Sequence, residues 1–208
     1  MTYIFDFDGV IVDSMPTWAG TYVNLMESHN IPYPDDFVKT FTPLGNRGAA
    51  ELCVKLGLPM TVEEILTHAM SVYRREYIGL IPAKSNVCET IHRLYNEGHT
   101  LAVLTASSHD YLDACLKRLG IFDCFTRVWS VDEFPYTKAN TEIYHEAAQL
   151  LRTPVSSCTF LDDNYVAIKT AHDAGMRTIG VYDSYSDDYV DLMKETADGY
   201  IYDFGELK

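Results

Sequence analysis

The first apolar run of the chain leads into the stretch Phe5-Asp6-Phe7-Asp8-Gly9-Val10-Ile11-Val12-Asp13-Ser14. Such a short, nearly continuously apolar run is typical of a parallel strand buried on both faces, and we predict a strand over residues 2–7. Asp6 and Asp8 are two residues apart, so they project from the same side of an extended backbone. Gly9 then allows a sharp turn. An Asp-Gly pair after a strand is usually only a turn, so the rest of the chain decides its meaning.

A second acidic pair, Asp162-Asp163, closes another apolar run over residues 157–162. Because the carboxyl ends of parallel strands meet at one edge of a sheet, we expect both pairs to converge there. Four carboxylates brought together repel each other and have little structural benefit without a cation. Oxygen ligands of this kind suit a hard divalent cation. The sequence therefore predicts a Mg²⁺ site at this edge.

Two further segments could serve an anionic ligand. The apolar run over residues 100–105 ends in Thr105-Ala106-Ser107-Ser108, where a hydroxyl and successive backbone amides can hold phosphate oxygens. Lys138 precedes a helical pattern, and its ammonium could neutralise carboxylate and phosphoryl charge. Each has a simpler explanation, since Ser and Thr are common helix caps and most lysines are solvated.

The order of apolar patterns predicts an α/β fold with a parallel sheet. Further strands are expected over residues 177–182 and near 200–202, with helical patterns between the runs. From about Ser14 to Leu80 three helical patterns follow one another without a strand. We therefore predict a core domain of residues 1–13 and 81–208 and an inserted helical domain of residues 14–80. The insert is expected to cover the acidic edge and to move on hinges near residues 13–15 and 80–84.

Composition limits the partners. The chain has 208 residues, with 16 Lys and Arg against 30 Asp and Glu, and a formal charge of −14. This charge would repel a nucleic-acid backbone, so no nucleic-acid partner is expected. The pattern shows no basic leader and no membrane-spanning run, so a cytoplasmic location is predicted. We expect a monomer or weak dimer. The five widely spaced cysteines predict buried, reduced thiols.

Taken in order, Asp6-x-Asp8-Gly9, Thr105, Lys138 and Asp162-Asp163 resemble the signature of the haloacid dehalogenase superfamily of phosphohydrolases. The helical stretch after Ser14 resembles the small cap of the subgroup with phosphoglycolate phosphatase and β-phosphoglucomutase. The resemblance implies a Rossmann-like parallel-sheet core with an inserted helical cap. It also implies a Mg²⁺-dependent phosphatase that acts on a small phosphorylated metabolite.

The resemblance assigns roles to the acidic residues. Asp6 would be the nucleophile that forms an aspartyl phosphate, and also a metal ligand. Asp8 would offer its backbone carbonyl to the metal and its side chain as general acid and then base. Asp163 would bind Mg²⁺ directly, and Asp162 would bind it or orient its waters.

The resemblance also assigns the phosphate-binding residues. Thr105 and Lys138 would hold the transferring phosphoryl group, and Ala106 and Ser107 would contribute backbone amides. Arg47, on the helical insert, is the residue that we expect to contact the rest of the substrate.

Two alternatives remain open. A sugar phosphomutase would use the same Asp6 but return the phosphoryl group to a sugar hydroxyl. Trp18 stands where a mutase of this kind has a cap histidine, which favours the phosphatase. A non-catalytic binding or regulatory domain could also retain the fold, since fold does not fix function. Asp8 argues against the dehalogenase branch, which lacks this second aspartate.

Overall fold

The computed structural model describes residues 1–208, apart from the side chain of Pro43. Its strands are β1 (Thr2–Phe5), β2 (Thr100–Thr105), β3 (Arg127–Ser130), β4 (Cys158–Asp162), β5 (Arg177–Val181) and β6 (Gly199–Ile201). They form one parallel sheet in the order β3-β2-β1-β4-β5-β6. This order is that of a doubly wound Rossmann-type sheet. The predicted fold class, an α/β core with a Rossmann-like parallel sheet, is confirmed.

Helices connect the strands and also build the insert. They are α1 (Met15–Ser28), α2 (Phe37–Phe41), α3 (Gly45–Lys55), α4 (Val62–Gly79), α5 (Val87–Asn96), α6 (His109–Arg118), α7 (Thr141–Leu150), α8 (Tyr165–Asp173) and α9 (Val190–Thr196). Within the described part of the chain, none of them combines the length and apolarity needed to cross a membrane.

By its internal contacts the chain forms two compact units. The first contains residues 1–13 and 82–208 and holds the whole sheet. Its two crossing segments lie side by side, because Asp13 N donates to Pro82 O (3.0 Å) and Val12 forms a bridge with Ala83. Lys84 N also donates to the carbonyl of Ile11 (2.9 Å). The two ends of the inserted segment are therefore tied together in the first unit.

The second unit, residues 14–81, is helical. Its polar centre is Asn46, whose Oδ1 accepts hydrogen bonds from Trp18 Nε1 (2.8 Å), Tyr22 OH (2.9 Å) and Tyr73 OH (3.0 Å). These donors come from α1 and α4, so one amide oxygen joins three helices. The unit also contains the capping box that begins α4, in which Thr61 and Glu64 exchange hydrogen bonds.

The structure differs from the sequence prediction in several places, and it adds the short helix α2 to the three helical patterns predicted in the insert. It adds β3, a four-residue edge strand whose only consecutive apolar residues are Val128 and Trp129, too few to stand out as a strand. It ends β1 at Phe5 instead of Phe7, because the chain turns and Gly9 N donates to Val12 O (3.0 Å). It also begins α3 at Gly45, directly after the 3-10 turn Thr42–Leu44; the side chain of Pro43 lies outside the described part.

Candidate active site

The central strand β1 places Asp6 between two neighbours. Phe5 pairs with Val103 of β2 and with Leu161 of β4, so the residues that follow all three strands meet at one edge. The backbone N–H of Asp6 extends the ladder by one bond to Leu161 O (2.9 Å). Strand order reverses between β1 and β4, and ligands bind at such a switch point in open parallel sheets.

Three buried carboxylates meet at this edge. One oxygen from each of Asp6, Asp162 and Asp163 lies within 4.8 Å of the other two. The structure therefore brings together three of the four carboxylates that we expected to converge. The side chain of the fourth, Asp8, instead accepts a short hydrogen bond from Ser107 Oγ.

Lys138 is the cation beside the cluster. Its Nζ lies 2.5 Å from Asp6 Oδ1 and 2.9 Å from Asp162 Oδ2. The contact with Asp6 is an ion pair without hydrogen-bond alignment, because Asp6 Oδ1 has no hydrogen-bond partner among the described residues. One ammonium is shared between Asp6 and Asp162. The buried Asp6 Oδ1 is thus neutralised only in part.

The cluster carries more negative charge than its lysine balances. Burial raises the pKa of Asp162 to about 6; Lys138 opposes this rise and Asp6 adds to it. Burial also raises the pKa of Asp163 well above its usual range, with the charges of Asp162 and Asp6 adding to it. Burial alone would lower the pKa of Lys138, but Asp162 and Asp6 outweigh it, and the pKa is raised. Three carboxylates facing one ammonium favour a proton or a further cation.

The donor set fits a hard divalent cation. All candidate ligand atoms are carboxylate oxygens, and Asp6 Oδ1 is buried without an aligned donor among the described residues. Oxygen-only sites with several carboxylates are typical of Mg²⁺ and Ca²⁺. Asp162 Oδ1 already accepts from Asn164 N (2.8 Å), while Asp162 Oδ2 accepts from Lys138. Asp162 is therefore better suited to orient the site than to bind the ion.

Gly9 lets Asp163 approach the turn after β1. Its φ is +70°, and a Cβ placed on it would lie 2.6 Å from Asp163 Oδ2. A side chain at this position would meet both backbone strain and a carboxylate. The turn after β1 and the acidic end of β4 therefore fit together only with glycine.

The β2–α6 junction brings the predicted phosphate-binding segment to the same edge. Thr105 is buried, and its Oγ1 accepts a hydrogen bond from Ser107 N (3.1 Å). Ser107 is also buried, whereas Ala106 is exposed. Tyr111 OH donates to Ser107 Oγ (3.3 Å), so the side chain of Ser107 links Tyr111 to Asp8. The sequence assigned Ser107 only a backbone role.

Arg47 is the residue of the insert that was predicted to contact substrate. It belongs to the unit of residues 14–81, in the first turn of α3, and its guanidinium is 3.5 Å from Glu63 Oε1. Both side chains are largely exposed. Its predicted contact with substrate stays a prediction.

Sequence reasoning assigned no role to two residues that support the site, Tyr144 and Ser186. Tyr144 OH donates to the carbonyls of Lys138 (2.9 Å) and Ala167 (3.1 Å), which fixes the backbone that carries the lysine. Ser186, in the turn after β5, donates to Asp163 Oδ2 (3.2 Å). The rule that ligands bind beyond the carboxyl ends of parallel strands points to the turn after β5, but not to one residue in it.

The fold and the acidic edge define a doubly wound α/β enzyme with an inserted helical unit. The model of the family described as haloacid dehalogenase-like hydrolase matches residues 3–181. The chain belongs to this family, as the sequence motifs predicted.

Individual relatives agree with this membership. A phosphoglycolate phosphatase of Psychrobacter arcticus is 25% identical over 193 residues, which cover 88% of this chain and 84% of the relative. The pyrophosphatase PpaX of Bacillus cereus is 22% identical over 181 residues, covering 86% and 82%. The crystal structure of CbbY from Rhodobacter sphaeroides in complex with phosphate superposes with a TM-score of 0.81 at 18% identity, covering 99% and 95%. The phosphatases among the relatives bear out the predicted enzyme class, a phosphoric monoester hydrolase.

Proposed function

We propose that the chain is a Mg²⁺-dependent phosphatase that hydrolyses a small phosphorylated metabolite through an aspartyl phosphate on Asp6. The observation that carries this proposal is the buried Asp6 Oδ1, which lies in an acidic cluster beside Lys138 without an aligned hydrogen bond from any described residue. A buried carboxylate beside one shared ammonium can serve as a nucleophile towards phosphorus. Family membership supports the same chemistry.

Mg²⁺ would be held by Asp6 and Asp163, with the backbone carbonyl of Asp8 as a further ligand. Asp162, whose two oxygens are engaged by Lys138 and Asn164, would orient the ligands and their waters. When bound, the ion neutralises charge that develops on the phosphoryl oxygens.

The first step is an attack by an Asp6 oxygen on phosphorus. The new O–P bond forms as the bond between phosphorus and the leaving oxygen breaks, and Asp8 donates a proton to that oxygen. Lys138 and the amides after Thr105 stabilise the charge on the transferring group. In the second step Asp8 removes a proton from water, which attacks phosphorus and releases inorganic phosphate from Asp6.

The contacts of Asp8 support its role as the acid and base. Ser107 Oγ donates to Asp8 Oδ2, and Tyr111 OH donates in turn to Ser107 Oγ. This chain fixes the rotamer of Asp8, so that the carboxyl group does not have to be ordered during the reaction.

The test is turnover of a generic aryl phosphate with and without Mg²⁺. We expect activity in the wild type, loss on chelation, and a loss of more than about a thousandfold in Asp6→Asn, because the amide cannot form the acyl phosphate. Asp173→Asn, an exposed aspartate that pairs with Lys169, is the matched control and should keep full activity. Equal activity in wild type and Asp6→Asn would overturn the mechanism.

A trapping experiment separates the alternatives. After acid quench, radiolabelled phosphate should stay on wild-type protein and be absent from Asp6→Asn. Release of inorganic phosphate supports the phosphatase, whereas transfer to a sugar phosphate in the presence of a bisphosphate would support the mutase. No turnover and no labelling would support a binding domain. The cytoplasmic location and the monomer or weak dimer stay predictions.

A further inference from the structure

The turn after β5 is anchored at its start by a buried ion pair. Asp183 is 2% exposed, and its Oδ1 accepts from the backbone N–H of Tyr185 (2.9 Å), which caps the 3-10 turn Ser184–Tyr189. Its Oδ2 pairs with Lys84 Nζ (2.8 Å), whose side chain is largely buried as well. One carboxylate therefore fixes the turn locally and also ties it to the segment that follows residue 81.

The same turn is anchored at its end by an aromatic contact. The ring of Tyr189 stacks on that of Tyr165, with centroids 6.0 Å apart and planes inclined by 9°. Tyr165 is the first residue of α8, and this helix begins two residues after Asp163. The turn is thus held against the segment that carries the acidic pair.

Between these anchors, Ser186 reaches the acidic cluster. Its Oγ donates to Asp163 Oδ2 (3.2 Å), the oxygen that also lies against Gly9. The carboxylate is therefore held from two sides, by a hydroxyl donor and by the glycine backbone. A donor on one oxygen fixes the direction in which the other oxygen points.

We propose that Ser186 is a positioning residue for Asp163 as a metal ligand, and that the Lys84–Asp183 pair holds the turn that presents it. This inference rests on the proposed function, since it requires a divalent cation at the acidic cluster. Partners that orient a ligand from outside the coordination shell commonly change metal affinity by 10- to 100-fold when removed. Ser186 is neutral, so its effect is one of orientation and not of net charge.

The test is calorimetric titration of the full-length, metal-free protein with Mg²⁺, which reports a Kd without turnover. Ser186→Ala should weaken binding by roughly tenfold. Ser186→Thr keeps the hydroxyl and should restore most of the affinity. Ser184→Ala, in the exposed first residue of the same turn, is the matched control and should bind as the wild type does. Melting temperatures in chelator should be alike for all four proteins.

Lys84→Met gives a second, independent outcome. Lys84 pairs with Asp183, whose charge acts on Asp163. Removing this cation would by charge alone tighten Mg²⁺ binding, whereas release of the turn should weaken it. We expect weaker binding, with Lys169→Met, an exposed lysine, unchanged. Tighter or unaltered binding by Lys84→Met would overturn the role of the ion pair.

The results also separate this inference from the proposed function. If wild type binds Mg²⁺, Asp163→Asn does not, and Ser186→Ala binds as wild type does, the positioning role is wrong and the metal site stands. The positioning role is equally wrong if Ser186→Thr binds as weakly as Ser186→Ala. If wild type does not bind Mg²⁺, or if Asp163→Asn leaves the Kd unchanged, the metal site itself is wrong and the inference is overturned with it.

Discussion

Gly9 combines a left-handed backbone with close approach to a carboxylate. Gly9→Ala should lower the free energy of unfolding by about 1–3 kcal/mol, because an L-residue is strained at this φ. It should also weaken Mg²⁺ binding, because the new methyl group displaces the Asp163 carboxylate. Urea unfolding and calorimetric titration measure the two effects separately.

Gly98→Ala is the control for Gly9→Ala. Gly98 has a similar φ, +81°, but a Cβ built there meets no heavy atom of the described residues within 4 Å. It should lose about 1–2 kcal/mol of stability from backbone strain and keep its Mg²⁺ affinity. If both variants bind Mg²⁺ as tightly as wild type, the proposed packing of Asp163 against Gly9 has no part in metal binding.

The hydroxyl of Tyr144 donates to the backbone carbonyls of both Lys138 and Ala167, and so holds the backbone that carries the lysine. Tyr144→Phe should cost about 1–2 kcal/mol of stability, because two carbonyls lose a buried donor. It should also lower kcat/KM for an aryl phosphate, since Lys138 loses its fixed position. Thermal melting and steady-state kinetics report these changes. Tyr95→Phe, at an exposed tyrosine, should alter neither quantity.

At the scale of elements, α4 depends on its capping box. Thr61 N and Thr61 Oγ1 both donate to Glu64 Oε2, at 2.8 and 2.9 Å, and these hydrogen bonds lower the pKa of Glu64. A carboxylate whose pKa is lower in the folded than in the unfolded state stabilises the protein at pH values above its unfolded-state pKa. This contribution is lost as the pH falls through its folded-state pKa. Glu64→Gln should therefore melt below wild type at neutral pH, and the gap should close as the pH falls below the usual pKa of a glutamate.

Glu63→Gln is the control for this effect. Glu63 lies in the same first turn but contacts Arg47 at 3.5 Å on an exposed surface, and exposed ion pairs of this kind contribute little. Its melting temperature should stay close to that of wild type across the same pH range. A pH dependence as large as that of Glu64→Gln would show that general surface charge, and not the cap, is responsible.

The elements predicted best are those with the strongest apolar runs. β1, β2, β4 and β5 lie in the sheet interior, and burial on both faces makes most of their residues apolar. The edge strand β3 has only two consecutive apolar residues, so periodicity does not reveal it. The four motif aspartates could be found because each pair lies close together in the sequence at the end of an apolar run. The contact between Ser186 and Asp163 could not, because it depends on how two turns meet in three dimensions.

At the scale of the whole molecule, the first unit should fold without the second. The insert leaves and re-enters next to the hydrogen bond between Asp13 N and Pro82 O, so a short Gly/Ser linker can join these residues. A protein with residues 14–81 replaced in this way should keep the circular dichroism spectrum of a folded α/β protein and a cooperative melting transition. A non-cooperative transition would show that the first unit needs the insert to form its core.

The position of β1 between β2 and β4 also has a consequence for synthesis on the ribosome. The strand that carries Asp6 is translated first, but its second neighbour in the sheet follows only after more than half of the chain. Until then the nascent polypeptide has Asp6 without Asp162 and Asp163 beside it. Prematurely terminated fragments should therefore be chemically inert, and activity should arise late and all at once.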